Sequence, residues 1–225
     1  MVHSLISKNE SGRDFAVGDI HGHIDLLMEE LSYVGFDPSR DRVFSVGDLI
    51  DRGPKSLDCL KLLDEPWFYA VRGNHEQMMI DWFSCDAFPS WIRNYGTWTQ
   101  ELQRTEIAAW VERLMSLPIA ITLKGETSTV GICHAEPCGH DWATMIDDLT
   151  CHQQMMWGRK VLRGDVDPRP VIGVDITLHG HTPVPKMRRI GNRYFLDTGA
   201  GDGDKLTVMN IATLVQGYRD FAALA

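Results

Sequence analysis

Short apolar runs of strand length alternate with helical periodicity through the first third of the chain. Phe15-Ala16-Val17 runs into Gly18-Asp19, Phe44-Ser45-Val46 into Gly47-Asp48, and Tyr69-Ala70-Val71 into Arg72-Gly73-Asn74. Each run has the length and composition of a β-strand. The closing glycine suits a sharp turn or a close backbone approach to a ligand. Between the runs, Ile24, Leu27, Met28, Leu31 and Val34 recur at helical spacing. Pro54 suits the first turn of a second helix carrying Leu57, Leu60 and Leu63, and Met78, Met79 and Trp82 continue a third from His75. Residues 15–83 therefore read β-α-β-α-β-α, an order that requires parallel strands joined by helical crossovers.

Beyond a further helix marked by Ile107, Trp110, Val111 and Leu114 and stopped by Pro118, the pattern turns to strands. Ile119–Leu123 and Thr129–Cys133 predict one hairpin. Met187–Ile190 and Tyr194–Leu196, flanking Gly191-Asn192, predict another. The apolar run ITLHGH (176–181), ending in His, and Leu206–Ala212 read as further strands. The fold expected is α/β with α+β character: two packed sheets with helices outside. Residues 1–13 are polar and read as a loose lead-in. No repeat, low-complexity tract or linker interrupts 14–225, which read as a single domain.

Composition narrows the function. With 44% hydrophobic and 24% charged residues, the chain is globular rather than disordered, collagenous or coiled-coil. Its 22 basic and 31 acidic residues leave a net charge of −9, which disfavours general nucleic-acid binding. No uncharged apolar run approaches the ~18 residues of a membrane span, and the start lacks the pattern of a secretory signal. Five cysteines without a CxxC pair read as free thiols in a reducing compartment, the cytoplasm. Cys133 alternates faces with His134 and reads as a buried structural thiol rather than a nucleophile. Cys138, His140, Cys151 and His152 match no zinc-finger spacing and read as loop residues.

The chemistry gathers where five predicted strands end, the usual ligand side of an α/β sheet. The first delivers Asp19 and His21, the second Asp48, Asp51 and Arg52, the third Asn74, His75 and Glu76, the fourth His134 and the fifth His181. One Asp after a strand is most often a turn or capping residue. Five strands repeating the arrangement point instead to a metal cluster. Asp19, His21, Asp48, Asn74, His134 and His181 offer oxygen and imidazole nitrogen but no thiolate, a set suited to Mn, Fe, Zn or Mg. Six side chains exceed the needs of one open catalytic metal and suit two that share a carboxylate, the arrangement used for phosphate ester hydrolysis.

The segments GDIHG (18–22), GDLIDRG (47–53), RGNHE (72–76), ICHAE (132–136) and GHT (180–182) resemble the phosphoprotein phosphatase family of metallophosphoesterases. The likeness is greatest to small bacterial and bacteriophage serine/threonine phosphatases, runs from about Phe15 to the end of the chain, and includes YFLDTGA (194–200). Five motifs in order are far more specific than one. The resemblance implies a β-sandwich of two mixed sheets flanked by helices. It implies that Asp19 and His21 bind a first metal, that Asp48 bridges, and that Asn74, His134 and His181 bind a second. It implies His75 as general acid oriented by Asp51, and Arg52 as a phosphate clamp. MMWGR (155–159) resembles the family's second arginine site and nominates Arg159. The expected cofactors are two divalent ions, Mn²⁺ first, with Fe or Zn as alternatives. The expected reaction is direct attack of a metal-bridging hydroxide on a phosphomonoester, with phosphorylated proteins or peptides as substrates. Phosphotyrosine is a possible second substrate class.

The alternative function is symmetrical cleavage of a bis(5'-nucleosyl)-tetraphosphate. Relatives of that kind resemble GDLxARG and GNHD, where this chain has Asp51 and Glu76. A remoter alternative is a non-catalytic binding scaffold, which the retained ligand set and His75 disfavour. Glu76 itself reads as a capping or first-turn residue rather than a ligand. The basic run Lys186, Arg188, Arg189 and Arg193 reads either as a solvated hairpin or as a rim attracting acidic substrates. Gly201-Asp202-Gly203-Asp204 replaces the bulky apolar residues usual in the bacterial relatives and bears on which substrates enter.

Overall fold

The structure, a computed structural model, describes residues 2–85, 87, 89–165 and 169–224. In chain order these form β1 (His3–Ile6), β2 (Asp14–Val17), α1 (Ile24–Tyr33), β3 (Arg42–Ser45), α2 (Ser56–Lys61), β4 (Phe68–Ala70), α3 (Asn74–Cys85), α4 (Pro89–Asn94) and α5 (Arg104–Met115). There follow β5 (Ala120–Lys124), β6 (Thr129–Cys133), α6 (Trp142–Asp147), α7 (Leu149–Trp157), α8 (Lys160–Arg163), β7 (Ile176–His179), β8 (Arg188–Ile190), β9 (Arg193–Phe195), β10 (Val208–Asn210) and α9 (Ile211–Ala222).

Two mixed sheets result. One has the order β10-β2-β3-β4, with β2, β3 and β4 parallel and β10 antiparallel to β2. The other has the order β1-β5-β6-β7-β9-β8, its two antiparallel pairs being the predicted hairpins β5–β6 and β8–β9. Alternation along each strand sorts the side chains into layers. Ala16 and Phe44 face Ile132, Leu178 and Leu196 between the sheets. Phe15, Val17 and Val43 face outward onto Leu27, Leu60, Met79 and Leu114 of the helices. Beyond the six-stranded sheet, Ala120 and Cys133 pack against Trp142 and Met155 of α6 and α7. Each fully buried apolar side chain of this size contributes about 1.5–3 kcal/mol, so three such layers hold the strand ends rigidly.

Three expectations are corrected. The lead-in is not wholly loose: His3–Ile6 pairs in parallel with Ala120–Leu123 and forms one edge of the larger sheet, while Met1 lies outside the described residues. The last predicted strand is shorter, because Asn210 caps a helix by accepting from Thr213 N and Ile211, Leu214 and Val215 enter the core between the sheets. Not all cysteines are free. Cys138, in the loop before α6, and Cys151 of α7 form a disulfide with Cα atoms 5.4 Å apart, leaving Cys59, Cys85 and Cys133 as thiols. No helix among the described residues is long and apolar enough to cross a membrane.

Candidate active site

The loops after β2, β3, β4, β6 and β7 converge at one end of the sandwich. Among the described residues, five non-glycines have positive φ, namely His21 (45°), Asp48 (52°), Asp51 (75°), Arg52 (66°) and His181 (69°). All five belong to the set expected from sequence. Left-handed backbone at non-glycine residues costs energy and persists where surrounding structure over-determines it, chiefly at functional sites. Glycines make room for the carboxylates: a Cβ on Gly180 would collide with Asp19 Oδ1, and one on Gly73 with Asp48 Oδ1.

Asp48 lies at the centre and is 2% exposed. Its carboxylate belongs to two donor groups whose atoms lie within 4.8 Å of one another, His21–Asp48–His75 and Asp48–His134–His181. His21 Nε2 is 3.5 Å from Asp48 Oδ2, and His134 Nε2 is 3.3 Å from Asp48 Oδ1. The Asn74 side-chain oxygen lies 2.8 Å from His134 Nε2 and 2.7 Å from His181 Nδ1. Asp19 Oδ2 accepts from His181 N at 2.9 Å, while its Oδ1 is buried without a partner. His21 Nδ1 meets Ile50 O and His134 Nδ1 meets Val46 O, both at 2.8 Å. A carbonyl only accepts, so each Nδ1 carries hydrogen and Nε2 is the ring atom turned toward the cluster.

Electrostatics divide these groups. Burial pushes Asp19 up strongly, with the charges of Asp197 and Asp48 adding to it. Burial also opposes the charge of Asp48, but His134, His75 and His21 outweigh it and bring that carboxyl down. Burial holds His21 and His181 to about 3, so both rings are neutral near pH 7. Burial presses His75 downward, but Asp48 and the hydrogen bond to Asp51 carry it above the ordinary imidazole value. Crowded carboxylates, neutral imidazoles and an unpartnered buried Asp19 oxygen fit hard or borderline divalent cations.

His75 stands beside this cluster. Its Nδ1 is 2.7 Å from Asp51 Oδ2, and its Nε2 is 3.9 Å from Asp48 Oδ2. At the rim, Arg52 Nη1 is 3.5 Å from Asp202 Oδ1. Arg159, the N-cap of α8, donates from Nε to His181 Nε2 at 3.1 Å. All ten residues singled out from sequence thus come together. The basic hairpin is less uniform, since Arg193 is buried and donates to Arg169 O, while Arg189 covers the Phe221 ring. Cys133 faces the α6–α7 layer, where burial pushes its thiol up.

Other residues hold the site together, among them Glu76 in the capping role expected from sequence. Glu76 caps its own turn by accepting from Gly73 N at 2.8 Å, and it also accepts from Asp48 N at 2.9 Å and Leu49 N at 2.8 Å, joining two motif loops. Glu136 accepts from Lys160 N and Val161 N, both at 2.8 Å, and so fixes α8 behind His134. Trp91 and Trp98 donate their indole N–H groups to Asp51. The extra carboxylate after the ICHA segment was visible; nothing in the spacing of the tryptophans announced a polar role.

The calcineurin-like phosphoesterase family model matches residues 15–198. The chain is 40% identical over 206 residues to serine/threonine-protein phosphatase 1 of Salmonella typhimurium, covering 88% of this chain and 91% of that one. It is 31% identical over 204 residues to serine/threonine-protein phosphatase 2 of Escherichia coli, covering 88% and 92%. A symmetrical bis(5'-nucleosyl)-tetraphosphatase of Dechloromonas aromatica is 44% identical over 68 residues, covering 29% of this chain and 25% of that one. Among solved structures, a presumed diadenosine tetraphosphatase superposes with a TM-score of 0.68 at 20% identity, covering 93% and 94%. At that identity the likeness concerns the fold.

Proposed function

The chain belongs to the calcineurin-like phosphoesterase family, and from that membership we propose that it is a metal-dependent serine/threonine protein phosphatase with ten working residues. The carrying observation is Asp48, shared between two donor groups, with the His75–Asp51 pair on its flank. Asp19, His21 and Asp48 would hold one divalent cation of the dinuclear pair that this family uses. Asp48, Asn74, His134 and His181 would hold the other. Although His75 lies within reach of the first group, its Nδ1 is committed to Asp51, which suits proton transfer better than ligation. Bound cations supply Lewis acidity toward water and the phosphoryl oxygens. Mn²⁺ is the first choice, because mixed nitrogen and oxygen donors suit it.

The chain's own groups do the rest. Arg52 and Arg159 neutralise the phosphoryl oxygens, a task suited to the planar guanidinium. Asp51 accepts from His75 Nδ1 and favours the charged form of the ring, with Nε2–H toward the site. As the P–O bond breaks, the Nε2 proton passes to the leaving seryl or threonyl oxygen, which is too basic to depart bare. Phosphoproteins are favoured as substrates because the long sequence matches are to proteins named as protein phosphatases, whereas the tetraphosphatase sequence matches cover 29% and 44% of the chain and the longer structural likeness to a tetraphosphatase, at 20% identity, concerns the fold alone. Asp51 and Glu76, where tetraphosphatase-like sequences read differently, point the same way. Three free thiols keep the cytoplasm as the proposed compartment; cell fractionation, with the protein expected in the cytosolic fraction, checks it.

The test is a parallel assay on a phosphoserine protein, a phosphotyrosine peptide and diadenosine tetraphosphate. Hydrolysis of the phosphoserine protein is expected to have the highest kcat/KM. Preference for the dinucleotide overturns the reading.

A further inference from the structure

Asp51 is 0% exposed, and its carboxylate is engaged on both oxygens by three ring N–H groups. His75 Nδ1 and Trp91 Nε1 lie 2.7 Å from Oδ2, and Trp98 Nε1 lies 2.9 Å from Oδ1. The two indoles come from one segment, α4 and the 3₁₀ turn Gly96–Glu101 that follows it. None of the ten residues proposed to bind metal, phosphate or the transferred proton comes from that segment.

The indoles are themselves fixed. Trp91 is 1% exposed and packs on Gly96, where a Cβ would come within 2.6 Å of its ring. Its other side meets Trp82, with ring centroids 5.1 Å apart. Tyr95, between the two tryptophans, sets its ring edgewise against His75 at 5.0 Å. Asp51 is anchored at its backbone as well, since Asp51 N donates to Ser56 Oγ at 2.8 Å.

The chemistry of the donors matters. An indole N–H only donates and does not titrate, so it holds a carboxylate without competing for its proton. With one histidine partner, a carboxylate can rotate and let the ring rock. Held at both oxygens, Asp51 presents Oδ2 to Nδ1 in one orientation, and Nε2 points one way. We propose that Trp91 and Trp98 are positioning residues for proton delivery, locking Asp51 so that His75 Nε2 is aimed at the leaving oxygen. This rests on the reading of His75 as proton donor to a phosphoserine leaving group.

The test uses Trp91→Phe and Trp98→Phe in the full chain. Each keeps an aromatic ring and removes the N–H. Half-buried Trp98 keeps the test available if Trp91→Phe fails to fold. General acid catalysis contributes ~10²–10⁴-fold, so a misaimed acid should cost kcat on a phosphoserine peptide about 10–100-fold. The loss on p-nitrophenyl phosphate, whose leaving group departs without a proton, should be about tenfold smaller, with KM little moved on either. A second readout needs no turnover. In a ¹⁵N-tryptophan NMR spectrum, Asp51→Asn should shift the Trp91 and Trp98 indole resonances and leave that of Trp110 in place. Equal losses on both substrates, no loss on either, or unmoved indole resonances overturn the proposal. If the wild-type chain cleaves no phosphoserine peptide, the function reading fails, while the indole resonances still decide whether the tryptophans hold Asp51.

Discussion

Replacing His75 by Asn removes the proton but keeps a polar side chain of similar reach. Turnover on phosphoserine should fall ~10²–10⁴-fold, with a much smaller loss on p-nitrophenyl phosphate. Equal losses would move His75 from proton delivery to holding water or metal. Arg159 has one nitrogen on His181 and its terminal nitrogens free for an anion. Arg159→Ala should raise KM, lower kcat and weaken inhibition by free phosphate, since a clamp acts in both ground and transition states. Bound-metal content, read by elemental analysis, should stay the same; a drop would mean that Arg159 acts through His181. Asp202 pairs with Arg52 from an exposed loop. Exposed ion pairs are worth about 0–1 kcal/mol, so Asp202→Asn should lower KM for acidic phosphopeptides by at most about fivefold. A higher KM would show that Asp202 orients Arg52 rather than competing for it.

Between residue and site stand the elements, and buried glutamates fix two of them. Glu136 accepts from two backbone N–H groups at the start of α8, just after Arg159. Glu136→Gln turns one acceptor into a donor facing a donor, costing about 1–3 kcal/mol locally. The expected result is an Arg159-like rise in KM with metal content unchanged; an unaltered KM would mean that α8 is held without it. At this scale the sequence was unevenly legible. The three parallel strands and α1–α3 followed from period-2 and period-3.6 patterns, because each buries one face against a continuous layer. β1 escaped because His3–Ile6 is a four-residue edge strand in a polar stretch of chain, and its place depends on β5, more than a hundred residues away. α9 was readable in principle from Asn210 followed by Ile211, Leu214, Val215 and Tyr218, but the alternation before Asn210 ran into it and favoured a strand. The site was legible where each residue is fixed by its own loop. Trp91 and Trp98 were not, since their partner is set by tertiary packing.

Across the whole molecule, residues from Asp19 to His181 meet only when both sheets are assembled. Asp19 accepts from His181 N across 162 positions of sequence. The inner layer of Ala16, Phe44, Ile132 and Leu178 therefore sets the distance between the two halves of the site. Activity should vanish on treatment with a chelator and return with Mn²⁺ more fully than with Ca²⁺, which prefers all-oxygen cages of higher coordination number. Activity that survives exhaustive chelation, checked by elemental analysis, would refute a dinuclear centre.

The left-handed backbone at the site also bears on heat resistance. An L-residue in that conformation costs about 1–2 kcal/mol, whereas glycine adopts it freely and gives up about 0.5–1 kcal/mol of that gain through the entropy of the unfolded chain. Arg52, at φ 66° and on the rim, is the position where this balance can be read with least loss of packing. Arg52→Gly should be a poor enzyme that melts no lower than the parent, and up to about 6 °C higher, since the net gain of at most about 1.5 kcal/mol moves the midpoint of a domain this size by about 2–4 °C per kcal/mol. In the same way His21, Asp48, Asp51 and His181 trade thermal margin for chemistry. Selection for heat tolerance alone would erode the reaction centre before the sandwich that carries it.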